Sequence, residues 1–126
     1  MRTDTSSGVI VVVEDLFVRD FLRTVLEQRG YAVLSGDVRH GLAALRDHRQ
    51  AVRLLITNVP SAFTEFAGRV PVLYLAALPD PGLVSAYRNS RVLSKPFHPS
   101  HLLASVQELL QLRATAVSSG SETATR

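Results

Sequence analysis

The chain has 126 residues, 46% of them hydrophobic, which is enough for one core and too few for two. It carries no cysteine, which excludes a disulfide framework and a thiolate metal site. No apolar run approaches the roughly 20 residues a bilayer demands, so a cytoplasmic protein with no membrane contact is the expectation. Its 14 Lys and Arg against 11 Asp and Glu leave a net charge of only +3. One denser basic stretch, Arg39, His40, Arg46, His48, Arg49 and Arg53, has no interleaved aromatic to stack on a base. It reads as a solvated helix face ahead of a nucleic-acid surface.

Residues 1–7 are polar and are expected to be disordered. Val9 to Val13 is a β-branched run without alternation, the mark of a central strand buried on both faces. After Glu14-Asp15, the apolar residues Val18, Phe21, Leu22, Val25 and Leu26 recur at helical spacing, and Arg29-Gly30 stops the helix. Tyr31 to Leu34 reads as a second strand, and a second helix begins near Asp37 and includes Leu42 to Leu45. Leu54 to Thr57 is a third strand, ended by Asn58-Val59-Pro60.

The stretch from Asn58 to a fourth strand at Val70 to Ala77 is close to the minimum of about a dozen residues for a parallel crossover. The third helix, around Ala62 to Phe66, is therefore short or irregular. A further helix is expected from Pro81, then a fifth strand at Val92 to Ser94. A last amphipathic helix from Pro99 carries Leu102, Leu103, Val106, Leu109 and Leu110. The folded unit spans 8–113, and residues 114–126, small and polar, read as a disordered tail. Strands alternating with helices of this length make an α/β fold, a doubly wound five-stranded parallel sheet.

In such sheets ligands bind beyond the carboxyl ends of the strands, at the topological switch point. Those ends carry Glu14-Asp15, Asn58, Ala76-Ala77 and Lys95, the only lysine of the chain. The ordered set V-V-V-E-D, L-L-I-T-N-V-P, V-P-V-L-Y-L-A-A and L-S-K-P-F resembles a receiver domain of the two-component response regulators, CheY-like, over roughly residues 8 to 112. The resemblance implies strand order 2-1-3-4-5. It also implies a pocket in which an acidic pair holds Mg²⁺, an aspartate accepts a phosphoryl group, a hydroxyl and a lysine bind its oxygens, and the Lys-Pro peptide is cis.

Glu14 and Asp15 match the acidic pair and Lys95 the lysine; the other positions depart. Asn58 stands where the phospho-accepting aspartate belongs, and a carboxamide is no nucleophile toward a phosphoryl donor. Ala76 replaces the hydroxyl, and Val92 stands where the family carries a switching aromatic. The expectation is a vestigial pocket of Glu14, Asp15, Asn58, Ala76 and Lys95, with Lys95 neutralising the acidic pair and Mg²⁺ held weakly at most, by Glu14 and Asp15.

The function implied is a non-enzymatic pseudo-receiver in phosphorelay signalling. It would bind a protein such as a histidine kinase or another response regulator, or a second copy of itself. In the family, partner contacts use the face of helix four, strand five and helix five, which places Leu83, Val84, Tyr87, Val92 and Leu103 as candidates. The alternatives are Mg²⁺-dependent phosphotransfer through another acceptor such as Ser61 or Thr64, and a nucleic-acid-binding adaptor using the Arg39 to Arg53 stretch. His98 and His101, spaced i,i+3, lack a third ligand and read as capping and surface residues.

Overall fold

The structure of the chain, a computed structural model, describes residues 8–47 and 51–122. Along it run β1 (Val9–Val13), α1 (Leu16–Gln28), β2 (Val33–Gly36), α2 (Val38–Arg46), β3 (Val52–Thr57), a 3₁₀ segment (Pro60–Phe66), β4 (Val72–Ala76), a 3₁₀ turn (Pro81–Val84), β5 (Ser90–Ser94) and α3 (Pro99–Glu122). Every strand pairing is parallel, and the order is β2-β1-β3-β4-β5. This is the flavodoxin/CheY-like arrangement expected.

Successive strand residues point to opposite faces, so each central strand serves two cores. Ile10, Val12, Leu54, Ile56, Leu73 and Leu75 pack in one cluster with Leu22 and Leu26 of α1 and with Leu102, Val106 and Leu109 of α3. Val11, Val13, Leu55, Val72 and Tyr74 pack on the other side with Leu45 of α2 and with Phe63 and Phe66. Burial on both faces is why β1 reads as an unbroken apolar run. Each large apolar side chain so buried contributes about 1.5–3 kcal/mol before the entropy of ordering it.

The helix boundaries follow from capping chemistry. Gly30 takes the left-handed conformation (φ 88°), its N–H donates to Glu27 O and that of Tyr31 to Leu26 O, which together close α1. Tyr31 is thereby spent on the cap, so β2 begins at Val33 and not at Tyr31. At α2 the Asp37 carboxylate accepts the His40 N–H at 3.0 Å and lies 2.7 Å from its ring Nδ1. The backbone bond first, and the ring second, hold the Asp37 carboxyl below its ordinary range.

The structure departs from the sequence reading in the second half of the chain. The short third helix is a 3₁₀ segment kinked at Phe63 (φ −123°, ψ 19°), and β4 begins at Val72 and not at Val70. The helix expected from Pro81 is a single 3₁₀ turn, because Ser85 folds back on Gly82 O through both its N–H and its hydroxyl. The Tyr87 hydroxyl, three residues past this turn, donates to Pro60 O at 2.8 Å and ties the segment before β5 to the start of the other 3₁₀ element. Beyond Arg113, where a disordered tail is expected, α3 continues to Glu122; alanine at 114 and 116 favours helix and no proline interrupts it. The expected disorder of residues 1–7, and His48 and Arg49 of the basic stretch, lie outside the described residues.

Two outcomes follow from this packing. A Cβ on Gly41 would sit 2.6 Å from Val13 Cγ2 and 3.1 Å from the Phe63 ring. Gly41→Ala should therefore lower stability by about 1–3 kcal/mol, read as a shifted urea midpoint at constant slope. Burial pushes the Tyr87 hydroxyl up to about 12 from 10. The folded state then holds this proton more tightly than the unfolded chain, so its contribution is complete below pH 10 and is lost as pH rises toward 12. Tyr87→Phe should flatten the fall in stability across that window, and an unchanged slope would show that the hydroxyl is not coupled to folding.

Candidate functional site

The four sequence positions singled out at the strand ends are brought to one edge by the register of the sheet. Val13 pairs with Thr57, which places Glu14 and Asn58 one residue beyond the ladder on neighbouring strands. Ala76 pairs with Ser94, and the N–H of Lys95 donates to Ala76 O at 2.9 Å. Glu14, Asn58, Ala76 and Lys95 thus terminate adjacent strands β1, β3, β4 and β5.

The centre of this edge is an ion pair. Lys95 Nζ lies 2.9 Å from Glu14 Oε2 and 3.2 Å from Oε1, and the Glu14 side chain is fully withdrawn from solvent while Lys95 remains 22% exposed. Only the Oε1 contact has hydrogen-bond geometry; Oε1 also accepts the Asp15 N–H at 2.9 Å, whereas Oε2 is held by charge alone. Lys95 precedes Pro96 through a cis peptide bond, as the resemblance implies.

The remaining positions offer little chemistry. Asn58 is half-buried, and its carboxamide makes no hydrogen bond among the described residues. Thr57 is buried, but its hydroxyl oxygen accepts the Val59 N–H at 3.0 Å and so serves the turn. Asp15 is exposed at the start of α1 without capping it. Mg²⁺ takes hard oxygens in near-octahedral array; here one carboxylate of the acidic pair is engaged by an ammonium. No group of three or more His, Cys, Asp or Glu among the described residues is placed to hold a metal. The donor set does not fit a divalent cation as the side chains stand.

The other candidate residues are dispersed. Val84 (6%), Tyr87 (6%) and Leu103 (8%) are core residues, which corrects the expected partner face: Val84 and Tyr87, at and after a 3₁₀ turn in place of a helix, pack into the core beside Phe63 and Phe66, while Leu103 belongs to the face of α3 that packs on the other side of the sheet. Only Leu83 and Val92 of that set reach the surface. His98 Nδ1 accepts the Ser100 N–H at 3.1 Å at the start of α3, a capping role. In the basic stretch, His40 pairs with Asp37 and Arg46 with Glu65.

A surface that sequence reasoning missed adjoins the ion pair. Phe17, Val18 and Phe21 of α1, Ala77 after β4, and Lys95-Pro96-Phe97 line a groove of about 470 Å³. Phe21, expected in the core stripe, is 41% exposed and packs its ring 6.2 Å from that of Phe97. Phe17 and Phe21, four apart, were the available signal, since an apolar stripe wider than the buried face leaves some members outside.

No protein-family model matches the chain, and no curated protein is similar enough in sequence to register a match. Solved structures resemble it in fold. The Vibrio cholerae chemotaxis response regulator CheY4 superposes with a TM-score of 0.67 at 22% identity, covering 81% of this chain and 98% of that one. NtrX from Brucella abortus, solved with ADP, gives 0.75 at 17% identity over 90% of this chain, which spans only 28% of NtrX. The anti-anti-sigma factor PhyR from Bartonella quintana gives 0.67 at 18% identity, covering 89% of this chain and 50% of that one. At these identities the likeness is one of architecture: the chain has the fold of the CheY-like receiver domains.

Proposed function

We propose that the chain is a pseudo-receiver of two-component signalling, which acts by binding a protein and not by carrying an aspartyl phosphate. The observation that carries this reading is the Glu14–Lys95 pair. The one ammonium placed to meet a phosphoryl group is bound to a buried carboxylate of its own chain. The acceptor position holds Asn58 and the hydroxyl position Ala76. Acceptor, hydroxyl ligand and free cation are separate parts of phosphoryl transfer, and it depends on preorganised positive charge. Receiver-like neighbours in signalling proteins support the context, and a histidine kinase or another response regulator is the kind of partner this reading names.

On this reading Lys95 is a structural cation. Lys95→Met should destabilise the fold by about 3–5 kcal/mol, because it leaves a buried carboxylate unpaired, and the double variant with Glu14→Gln should recover much of the loss. The function itself is tested by incubating the purified protein with acetyl phosphate and Mg²⁺ and weighing it by mass spectrometry. No phosphoryl adduct is expected. An adduct on any side chain, with Ser61 and Thr64 the first to inspect, would sink the reading in favour of phosphotransfer.

A further inference from the structure

At the amino ends of β1, β2 and β3, opposite the Glu14–Lys95 edge, lies a second cavity of about 200 Å³. Ile10 and Leu110 line it from the core, Gly30 and Tyr31 from the turn after α1, and the side chains of Arg29 and Arg53 bring two positive charges to it. No acidic residue is among the described residues that line it. Doubly wound sheets place their ligands at the other ends of the strands, so the fold by itself does not call for a recess here.

The sheet is deformed where Arg53 enters. Val9 pairs with Val52 but Ile10 pairs with Leu54, so Arg53 is an extra residue in a parallel ladder. Bulges are rare in parallel pairs, and they re-aim a side chain. The Arg53 stem crosses the backbone of Gly8 (φ 121°), where a Cβ would stand 2.8 Å from Arg53 Cγ and closer still to Ala51 O. Only glycine fits at that position. At Gly30 (φ 88°) a Cβ would meet no heavy atom within 4 Å, so this side of the cavity is open space.

Arg29 and Tyr31 hold unspent donors. Their backbone N–H groups close α1, but neither the exposed Arg29 guanidinium nor the hydroxyl of half-buried Tyr31 has a partner among the described residues. Guanidinium forks match the oxygens of a phosphate, and a recess lined by one sign of charge concentrates counter-ions. Size narrows the ligand: about 200 Å³ lies below the roughly 300–1,000 Å³ of pockets for drug-sized molecules and suits a phosphoryl group with few atoms beside it.

We propose that this cavity binds a phosphate dianion, free or as the end of a small phosphomonoester, between the Arg29 and Arg53 guanidiniums with the Tyr31 hydroxyl as a third donor. Ile10 and Leu110 then receive the carbon atoms of an ester. The site is remote from the carboxyl edge and does not depend on whether that edge carries a phosphoryl group.

The test is an amide NMR titration of the labelled full chain at constant ionic strength with inorganic phosphate, with glycerol phosphate as the ester and sodium chloride as the control. Phosphate should shift Gly8, Gly30, Tyr31, Ala32 and Arg53 saturably at millimolar concentration, and chloride should not. Arg29→Gln and Arg53→Gln should each weaken binding by about tenfold, and Tyr31→Phe by less. Arg53→Lys keeps the stem and the charge but loses the fork, so its partial loss reads the site even where the glutamine variant unfolds. Arg88→Gln removes a charge from the same end of the sheet outside the cavity and should leave binding unchanged. Tighter binding of glycerol phosphate identifies the occupant as an ester, and tighter binding of inorganic phosphate identifies it as the free ion.

Absence of saturable shifts, an equal response to chloride, shifts centred on Lys95, or full affinity in both glutamine variants would overturn the proposal. So would tighter binding of a single-stranded oligonucleotide with shifts spreading to Arg88, which would make this end of the sheet a nucleic-acid surface. The acetyl phosphate measurement reads a covalent adduct and not this equilibrium, so the two readings fail separately.

Discussion

The contact on which the carboxyl edge depends is the Glu14–Lys95 ion pair. It joins residues 81 apart in sequence and ties the end of the central strand β1 to the loop after the edge strand β5. A fully buried carboxylate is costly unless paired, so the geometry of Pro96-Phe97 and the start of α3 is coupled to the end of β1 through one ammonium. The same bond is what the proposed function rests on, since it engages within the chain the cation that would otherwise meet an incoming anion.

The two sides of the sheet bear different loads. On one, α1 and α3 supply long helices with regular apolar stripes, and the packing is that of an ordinary doubly wound fold. On the other, α2 is followed by two 3₁₀ elements, and order is maintained by individual side chains: Phe63 and Phe66 are buried in the core, and the Tyr87 hydroxyl joins the segment before β5 to Pro60 of the first 3₁₀ element. Tyr74, whose hydroxyl accepts the Asp80 N–H at 3.2 Å, braces the loop after β4 in the same manner. Val84 and Tyr87 pack inward on this side, and the most exposed large apolar side chains among the described residues are Leu78, Phe17 and Leu16.

The carboxyl edge links the fold to the functional reading. The strand ends hold a buried ion pair and the Asn58 carboxamide, and the neighbouring groove is lined mainly by apolar side chains. The proposed function, recognition of a protein surface without chemistry on a small anion, rests on these features.

Much of this was legible in the sequence, for definite physical reasons. A buried parallel strand must be apolar on both faces, so β1, β3 and β4 announced themselves, and the strand ends with Glu14, Asn58, Ala76 and Lys95 followed from their order. Glycine 30 and Asp37 marked helix ends because capping needs particular residue types. What the sequence did not determine depended on space. Whether Val84 and Tyr87 face a partner or the core turns on the length of the element before β5, and residues 81–89 carry no periodicity that separates one 3₁₀ turn from a helix. Likewise Phe17 and Phe21 are equally apolar on paper; only the width of the face that α1 buries against the sheet sends Leu22 and Leu26 inside and leaves those two rings in water.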